Sequence, residues 1–140
     1  MSDGSDFLRS MSIATSGLRA QAGRMRVISE NIANAQSTAK TAGGDPYRRK
    51  VPTFSSELDR TLDARVVSLG KIKLDNSEFR VSHEPGNPAA DASGNVKYPN
   101  VNSLVEMTDM REAQRSYEAN LNIISATRRM IQRTLDILKA

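Results

Sequence analysis

From Val101 to Ala140, steps of four and three residues pick out Met107, Met110, Gln114, Tyr117, Leu121, Ile124, Arg128, Ile131, Leu135 and Leu138. This is a heptad series interrupted by Gln114 and Arg128, and it predicts one amphipathic helix from about Ser103 to Lys139. At 1.5 Å per residue that helix is roughly 55 Å long, more than a compact domain of this size is wide. It therefore needs a partner of similar length. A second series through Phe7, Met11, Ala14, Leu18, Gln21, Met25, Ile28, Ile32 and Ala35 supplies one. Flanking apolar residues, among them Leu8, Ile13, Val27, Leu104, Val105, Ile123, Met130 and Ile137, widen both stripes beyond a two-helix seam, so each helix wants more than one neighbour.

Helix ends follow from local chemistry. Ser5 or Asp6 is expected to cap the first helix by accepting from its unpaired first-turn amides. For the second, Pro99 closes a loop, Ser103 opens the helix and Glu106 three residues later forms a capping box. Glu112 with Arg115 and Arg133 with Asp136 are spaced to pair on its exposed side. Gly17 and Gly23 weaken the first helix by about 1 kcal/mol each relative to Ala, and read either as tolerated weakness or as points of close backbone approach.

Between the helices the pattern is broken. Asn31 to Thr38 is rich in side chains that bond their own backbone, and Thr41-Ala42-Gly43-Gly44-Asp45-Pro46-Tyr47 predicts a turn or loop. The cations Arg48, Arg49 and Lys50 follow, read either as solvated or as docked against acids of a neighbour. Phe54, Leu58 and Leu62 suggest a short helix. Arg65 to Leu74 and Glu78 to Ser82, straddling Asp75-Asn76-Ser77, predict a small hairpin. His83 to Asn100, crowded with Pro and Gly, is expected to be irregular.

Composition narrows the function classes. In 140 residues, 38% hydrophobic content with 4% aromatics and no Trp leaves little for a large globular core, which favours an extended architecture. The net charge of +4 is spread along the chain, so Arg48, Arg49 and Lys50 or Arg128, Arg129 and Arg133 make a poor nucleic-acid face. No cysteine is present, and the one histidine, His83, lacks a second nitrogen or thiolate ligand. No phosphate loop or GxSxG turn occurs, and no apolar run is long enough to insert in a bilayer. We therefore expect no enzyme, no cofactor and no metal. The start MSDGSDFLRSMSIATSG lacks the features of a cleaved secretory signal.

Several segments carry a resemblance. Ser16-Gly17-Leu18 and Asn31-Ile32-Ala33-Asn34 are followed by Gly43-Gly44-Asp45-Pro46-Tyr47-Arg48-Arg49-Lys50. Near the other end stand Tyr98-Pro99-Asn100-Val101-Asn102, Glu106-Met107, Met110 and Tyr117-Glu118-Ala119-Asn120. In order and spacing these resemble the axial proteins of the bacterial flagellum, and among them the basal-body rod protein family, over nearly the whole chain. Asn87-Pro88-Ala89 and Gly94-Asn95 stand where that family usually has a His-Pro-Asp run and a Gly-Tyr pair.

The resemblance implies a mainly α fold in which residues 1–40 and 101–140 pack as an antiparallel, coiled-coil-like pair. Residues 41–100 would form a middle region of loops, short helix and hairpin. It also implies a structural subunit of the proximal rod, built helically from copies of itself and other rod proteins into a hollow, torque-carrying shaft in the periplasm. Further implied partners are the adaptor that joins the rod to the membrane ring and the type III export apparatus, through which members pass without a cleaved signal.

The expected packing and assembly residues are Leu18, Met25, Ile28, Asn31, Ile32 and Asn34 on the first helix, with Pro46, Tyr47, Arg48 and Arg49 in the loop after it. Pro99, Asn100, Glu106, Met107, Met110, Tyr117, Glu118, Asn120, Leu121, Ile124, Arg128, Ile131, Leu135 and Leu138 complete the set. In a tube of subunits Gln114 and Arg128 face a wet channel or a neighbour's acid; alternatively Arg128 snorkels at the surface. The competing readings are another axial subunit, or a soluble helical-hairpin adaptor that folds fully as a monomer.

Overall fold

The structure, a computed structural model, describes residues 3–140. Two long helices, α1 (Asp3–Ala33) and α2 (Ser103–Lys139), flank six short strands: β1 (Lys50–Val51), β2 (Phe54–Asp59), β3 (Ala64–Leu69), β4 (Lys73–Leu74), β5 (Arg80–His83) and β6 (Asn95–Tyr98). The strands form three separate antiparallel pairs, β1 with β4, β2 with β3 and β5 with β6. The chain is mainly α, as its periodicity predicts.

Two compact units partition these elements. The first comprises residues 1–25, 53–71 and 112–140, and the second residues 26–52 and 72–111. In the first, β2 and β3 form a hairpin whose strands face each other from Phe54 opposite Leu69 to Asp59 opposite Ala64, with the Ser55 and Ser68 hydroxyls 2.7 Å apart. The Val67 amide donates to Ser16 Oγ at 3.2 Å, fastening the hairpin to α1. A Cβ at Gly23 would lie 2.8 Å from Leu69 Cδ2, so here the glycine admits a close neighbour. Gly17 does the same beside Asn120 of α2, and Arg24 reaches Glu112 at 3.5 Å.

The second unit buries Val27, Ile28, Asn31 and Ala35 around the end of α1, with Ala89, Val96, Pro99, Val101 and Glu106 from residues 89–106. Its loop from Pro85 to Asn95 is ordered by Asp91, whose Oδ1 accepts from the amides of Ser93 and Asn95 at 2.8 and 2.9 Å. Gly94 closes that turn at φ 78°, a conformation few other residues tolerate.

Four expectations are corrected. Phe54 to Leu62 is not a short helix: Phe54 and Leu58 fit a period of two as well as four, and the β-branched partner Ala64–Leu69 draws the stretch into a strand. Arg65–Leu74 and Glu78–Ser82 do not pair with each other. β3 takes β2, β4 takes β1 and β5 takes β6, so the region from His83 to Asn100 also carries regular structure. The turn at Asp75 closes on itself when its carboxylate accepts from the Ser77 amide at 2.9 Å. Neither Ser5 nor Asp6 caps α1, since both lie inside it.

The start of α2 differs too. Asn102, not Ser103, is the cap: its Oδ1 accepts from the amides of Leu104 at 3.0 Å and Val105 at 3.4 Å. That releases Glu106 from the capping box for another task. Glu112 pairs with Arg24, and Asp136 accepts from Gln132 at 2.9 Å.

Candidate functional site: a polar latch around Asn31 and Glu106

Asn31 sits on the last turns of α1 with no exposed surface, where an amide must find partners for two donors and two acceptors. It finds all four. Its Nδ2 donates to the Lys50 carbonyl at 2.8 Å and to Glu106 Oε2 at 3.1 Å, while its Oδ1 accepts from the Tyr47 hydroxyl at 2.8 Å and the Lys50 amide at 3.0 Å.

Glu106, equally buried, gives its other oxygen to Arg49 Nε. An isolated carboxylate there would be prohibitively costly, and the guanidinium and the amide together make its burial possible. Arg49 also lies 3.5 Å from Asp75 and 3.8 Å from Asp109. Burial pulls its pKa down, but the bond to Glu106 and the three surrounding acids outweigh that and raise it. Tyr47 is pushed up to about 12, first by burial and then by the negative charges of Glu30 and Glu106.

Asn100 completes the arrangement. Its Oδ1 accepts from the Arg49 amide at 2.8 Å, and its Nδ2 donates to the Asp75 carbonyl at 3.0 Å and to Ser77 Oγ at 2.9 Å. Arg48 donates to the Asp75 and Ser77 carbonyls at 2.9 and 3.2 Å and stacks 4.2 Å above the Phe79 ring. Lys50 pairs with Glu30. Each of the three adjacent cations thus has partners within the chain. In effect the end of α1, the loop before β1, the Asp75 turn and the start of α2 are joined by one network.

Asn31, Tyr47, Arg48, Arg49, Asn100 and Glu106, all singled out from sequence, are brought together here. Pro46 and Pro99 are buried beside them. Glu30, Lys50, Asp75 and Asp109 also belong, and sequence reasoning missed their roles. Glu30 stands next to Asn31 and Lys50 next to Arg49, but the acids at 75 and 109 carry no local signal of their shared partner. Asn34 only closes its own helix end, donating to the Glu30 carbonyl at 2.9 Å.

On the helices, Ile28 is buried and Leu18, Met25 and Ile32 are half-buried. On α2, Met110, Tyr117, Asn120, Ile124 and Ile131 are half-buried, whereas Met107, Glu118, Leu121, Arg128, Leu135 and Leu138 are exposed. The inward line of α2 is therefore not the one its large apolar residues suggest. It runs through Glu106, Met110, Ala113, Tyr117, Asn120, Ile124, Thr127 and Ile131, with Ala113 and Glu106 fully buried. Gln114 and Arg128 are not faults in that line, because they stand outside it. The physical reason is close approach: small residues let the backbones near, and large ones are displaced to the flank.

Among the described residues no cluster of His, Asp and Glu suits a metal, and no helix is long and apolar enough to cross a membrane.

Residues 11–39 match a family profile described as flagella basal body rod protein, and residues 92–137 match one described as flagellar basal body rod FlgEFG protein C-terminal. The chain is 56% identical to the flagellar basal-body rod protein FlgC of Agrobacterium fabrum over 91% of its own length and 92% of the relative's. Its identity to the Bacillus subtilis protein of the same name is 39%, over 93% of this chain and 97% of that one. With the Salmonella typhimurium protein it is 36%, over 89% and 92%.

Proposed function

Since the chain belongs to the FlgC family of flagellar basal-body rod proteins and is a structural subunit of that rod, we propose that it builds the proximal part of the shaft by helical stacking of its terminal helices. The role is mechanical: to carry torque for motility around a central export channel.

The observation that carries this reading is the exposed flank of α2. Met107 is 52% exposed, Leu121 46%, Leu135 45% and Leu138 77%, and Ile123, Met130 and Ile137 stand free on another side. Apolar surface on that scale marks contact sites. In the proposed rod these stripes meet copies of this chain and other rod proteins.

The contacts within each unit support an antiparallel, coiled-coil-like pairing of α1 and α2. In the first unit Gly17 lies by Asn120 and Arg24 by Glu112, so the contacts there fall in α2 as they rise in α1; in the second unit, taken by itself, Asn31 lies by Glu106. Residues 1–40 and 101–140 would then form the inner rod domain and residues 41–100 its middle region. The rod reading further carries a periplasmic location, contact with the adaptor joining rod to membrane ring, and export by the flagellar type III apparatus without a cleaved signal.

The test is to label the β2–β3 hairpin with a small epitope tag and locate it by electron microscopy on purified basal bodies. Signal along the rod is expected. A labelled protein absent from basal bodies, or a chain sedimenting as a cooperative, fully ordered monomer in motile cells, would defeat the reading in favour of a soluble helical adaptor.

A further inference from the structure

The first turns of α2 are held by the wrong kind of residue. Leu104 is 74% exposed, Val105 47% and Met107 52%, while Glu106 between them is fully buried. The hydrophobic effect alone would turn these apolar neighbours inward and leave the carboxylate in water.

α2 in fact carries two four-three series that share Met110, Tyr117, Ile124 and Ile131. One adds Glu106, Ala113, Asn120 and Thr127; the other adds Met107, Gln114, Leu121 and Arg128. Moving from one to the other requires turning the helix by roughly 50°, half the 100° between consecutive residues. The first series faces inward in the structure. Both are plausible seams from the sequence, so something must choose.

We infer that the hydrogen bonds of Asn31 and Arg49 to Glu106 select which face of α2 turns inward, and so keep the Met107–Leu121 flank displayed. In the alternative rotation Asn31 Nδ2 and Arg49 Nε would lose the carboxylate they now share, leaving the fully buried Asn31 amide one partner short and the part-buried Arg49 without its closest acid. Buried polar groups in helical seams can set pairing in this way even where they add little stability. Asn31, Arg49 and Glu106 are positioning residues: they need not touch a neighbouring subunit to decide which surface it meets. The use of the displayed flank rests on the rod reading; the choice of face does not.

The absence of cysteine makes the test direct. Met107→Cys and Ala113→Cys are introduced singly into the full chain, and maleimide labelling rates are measured on the purified monomer. With Glu106 intact, position 107 labels fast and position 113 slowly. In the Glu106→Leu background, position 107 should slow and position 113 quicken, each by about tenfold or more, as burial gates thiol access. Unchanged rates at both positions would overturn the inference. If Glu106→Leu instead loosens the chain so that both positions label at the free-thiol rate, the fully apolar Asn31→Leu/Arg49→Met/Glu106→Leu chain decides. Exchange of the two rates supports selection. Native rates, or loss of helicity, show that no second face competes and refute it. Because assembly plays no part in the readout, failure here is distinct from failure of the rod assignment.

Discussion

Gly17 and Asn120 meet so closely that a Cβ on residue 17 would stand 2.8 Å from the Asn120 amide nitrogen and 2.9 Å from its oxygen. The Asn120 side chain is itself anchored, donating to the Ser116 carbonyl at 3.0 Å. Gly17→Ala gains about 1 kcal/mol of helix propensity but forces Asn120 to swing, forfeiting a bond that contributes about 0.5–1.5 kcal/mol. Urea unfolding followed by circular dichroism should place the variant within about 1 kcal/mol of the parent, whereas Gly17→Leu should cost about 1–3 kcal/mol. Adding Asn120→Ala to Gly17→Ala should recover the propensity gain, a coupling readable in a double-mutant cycle.

Removing Glu106 exposes what it neutralises. Glu106→Ala leaves Arg49 with Asp75 and Asp109 but strips Asn31 of a partner, so the loss should fall at the lower end of the range for broken buried pairs, about 3 kcal/mol. Asn31→Ala strands the Tyr47 hydroxyl and both backbone groups of Lys50, at about 1–3 kcal/mol for each group left buried without a partner. Thermal or urea midpoints for the two variants check the ordering against exposed controls such as Glu118→Ala, which should change stability by less than about 0.5 kcal/mol.

Alkaline titration reads the same site. The folded pKa of Tyr47, about 12, lies above its ordinary 10.0, so the neutral phenol is the form that folding favours. Its contribution is fully present below pH 10 and is lost as pH climbs toward 12. Ultraviolet difference titration of the parent against Tyr47→Phe should show a late-ionising tyrosine missing from the variant. A missing step near pH 10 would contradict the geometry.

Acid acts on the Asp75 turn. The Ser77 amide and hydroxyl, and then Arg49, hold the Asp75 carboxyl below its ordinary 3.8. A depressed folded pKa means the stabilisation is present above that ordinary value and disappears as pH falls through the folded one. Hydrogen exchange at the Ser77 amide, corrected for its intrinsic pH dependence, should lose protection below pH 3.8 in the parent. In Asp75→Asn that acid-dependent step should be absent.

Assembly should be separable from folding. Leu121 is 46% exposed on the flank of α2, so Leu121→Asp should leave monomer helicity and unfolding midpoint nearly unchanged. Swimming should nevertheless fail, with the protein still exported. Tyr117→Ala is half-buried in the inward line and should lower stability as well as motility. Normal swarming of cells carrying Leu121→Asp would remove that flank from the rod interface.

The two helices were legible because seven-residue apolar repeats persist over many turns, whereas their facing line was not. Pattern reading weights Met107, Leu121 and Leu135, yet packing at close range favours Gly17, Ala20, Ala113 and Thr127, whose lack of bulk is the reason they are inside. The latch was half legible: the motif residues Asn31, Tyr47, Arg49, Asn100 and Glu106 stood out, but their convergence did not. Asp75 and Asp109 are far apart in sequence and meet only through Arg49. The strands were misread at Phe54–Asp59 because a short run with Phe54 and Leu58 satisfies either period, and only the partner strand decides.

The division of the chain into two units sets an order of completion. The unit holding the latch includes no residue beyond Arg111, while the other draws its third stretch from residues 112–140. A chain emerging from its N-terminus can therefore close the Asn31–Glu106 network while its last turns are still unmade or threaded elsewhere. The β2–β3 hairpin unit must wait for residues 112–140, so a C-terminal truncation should cost the hairpin unit before the latch unit.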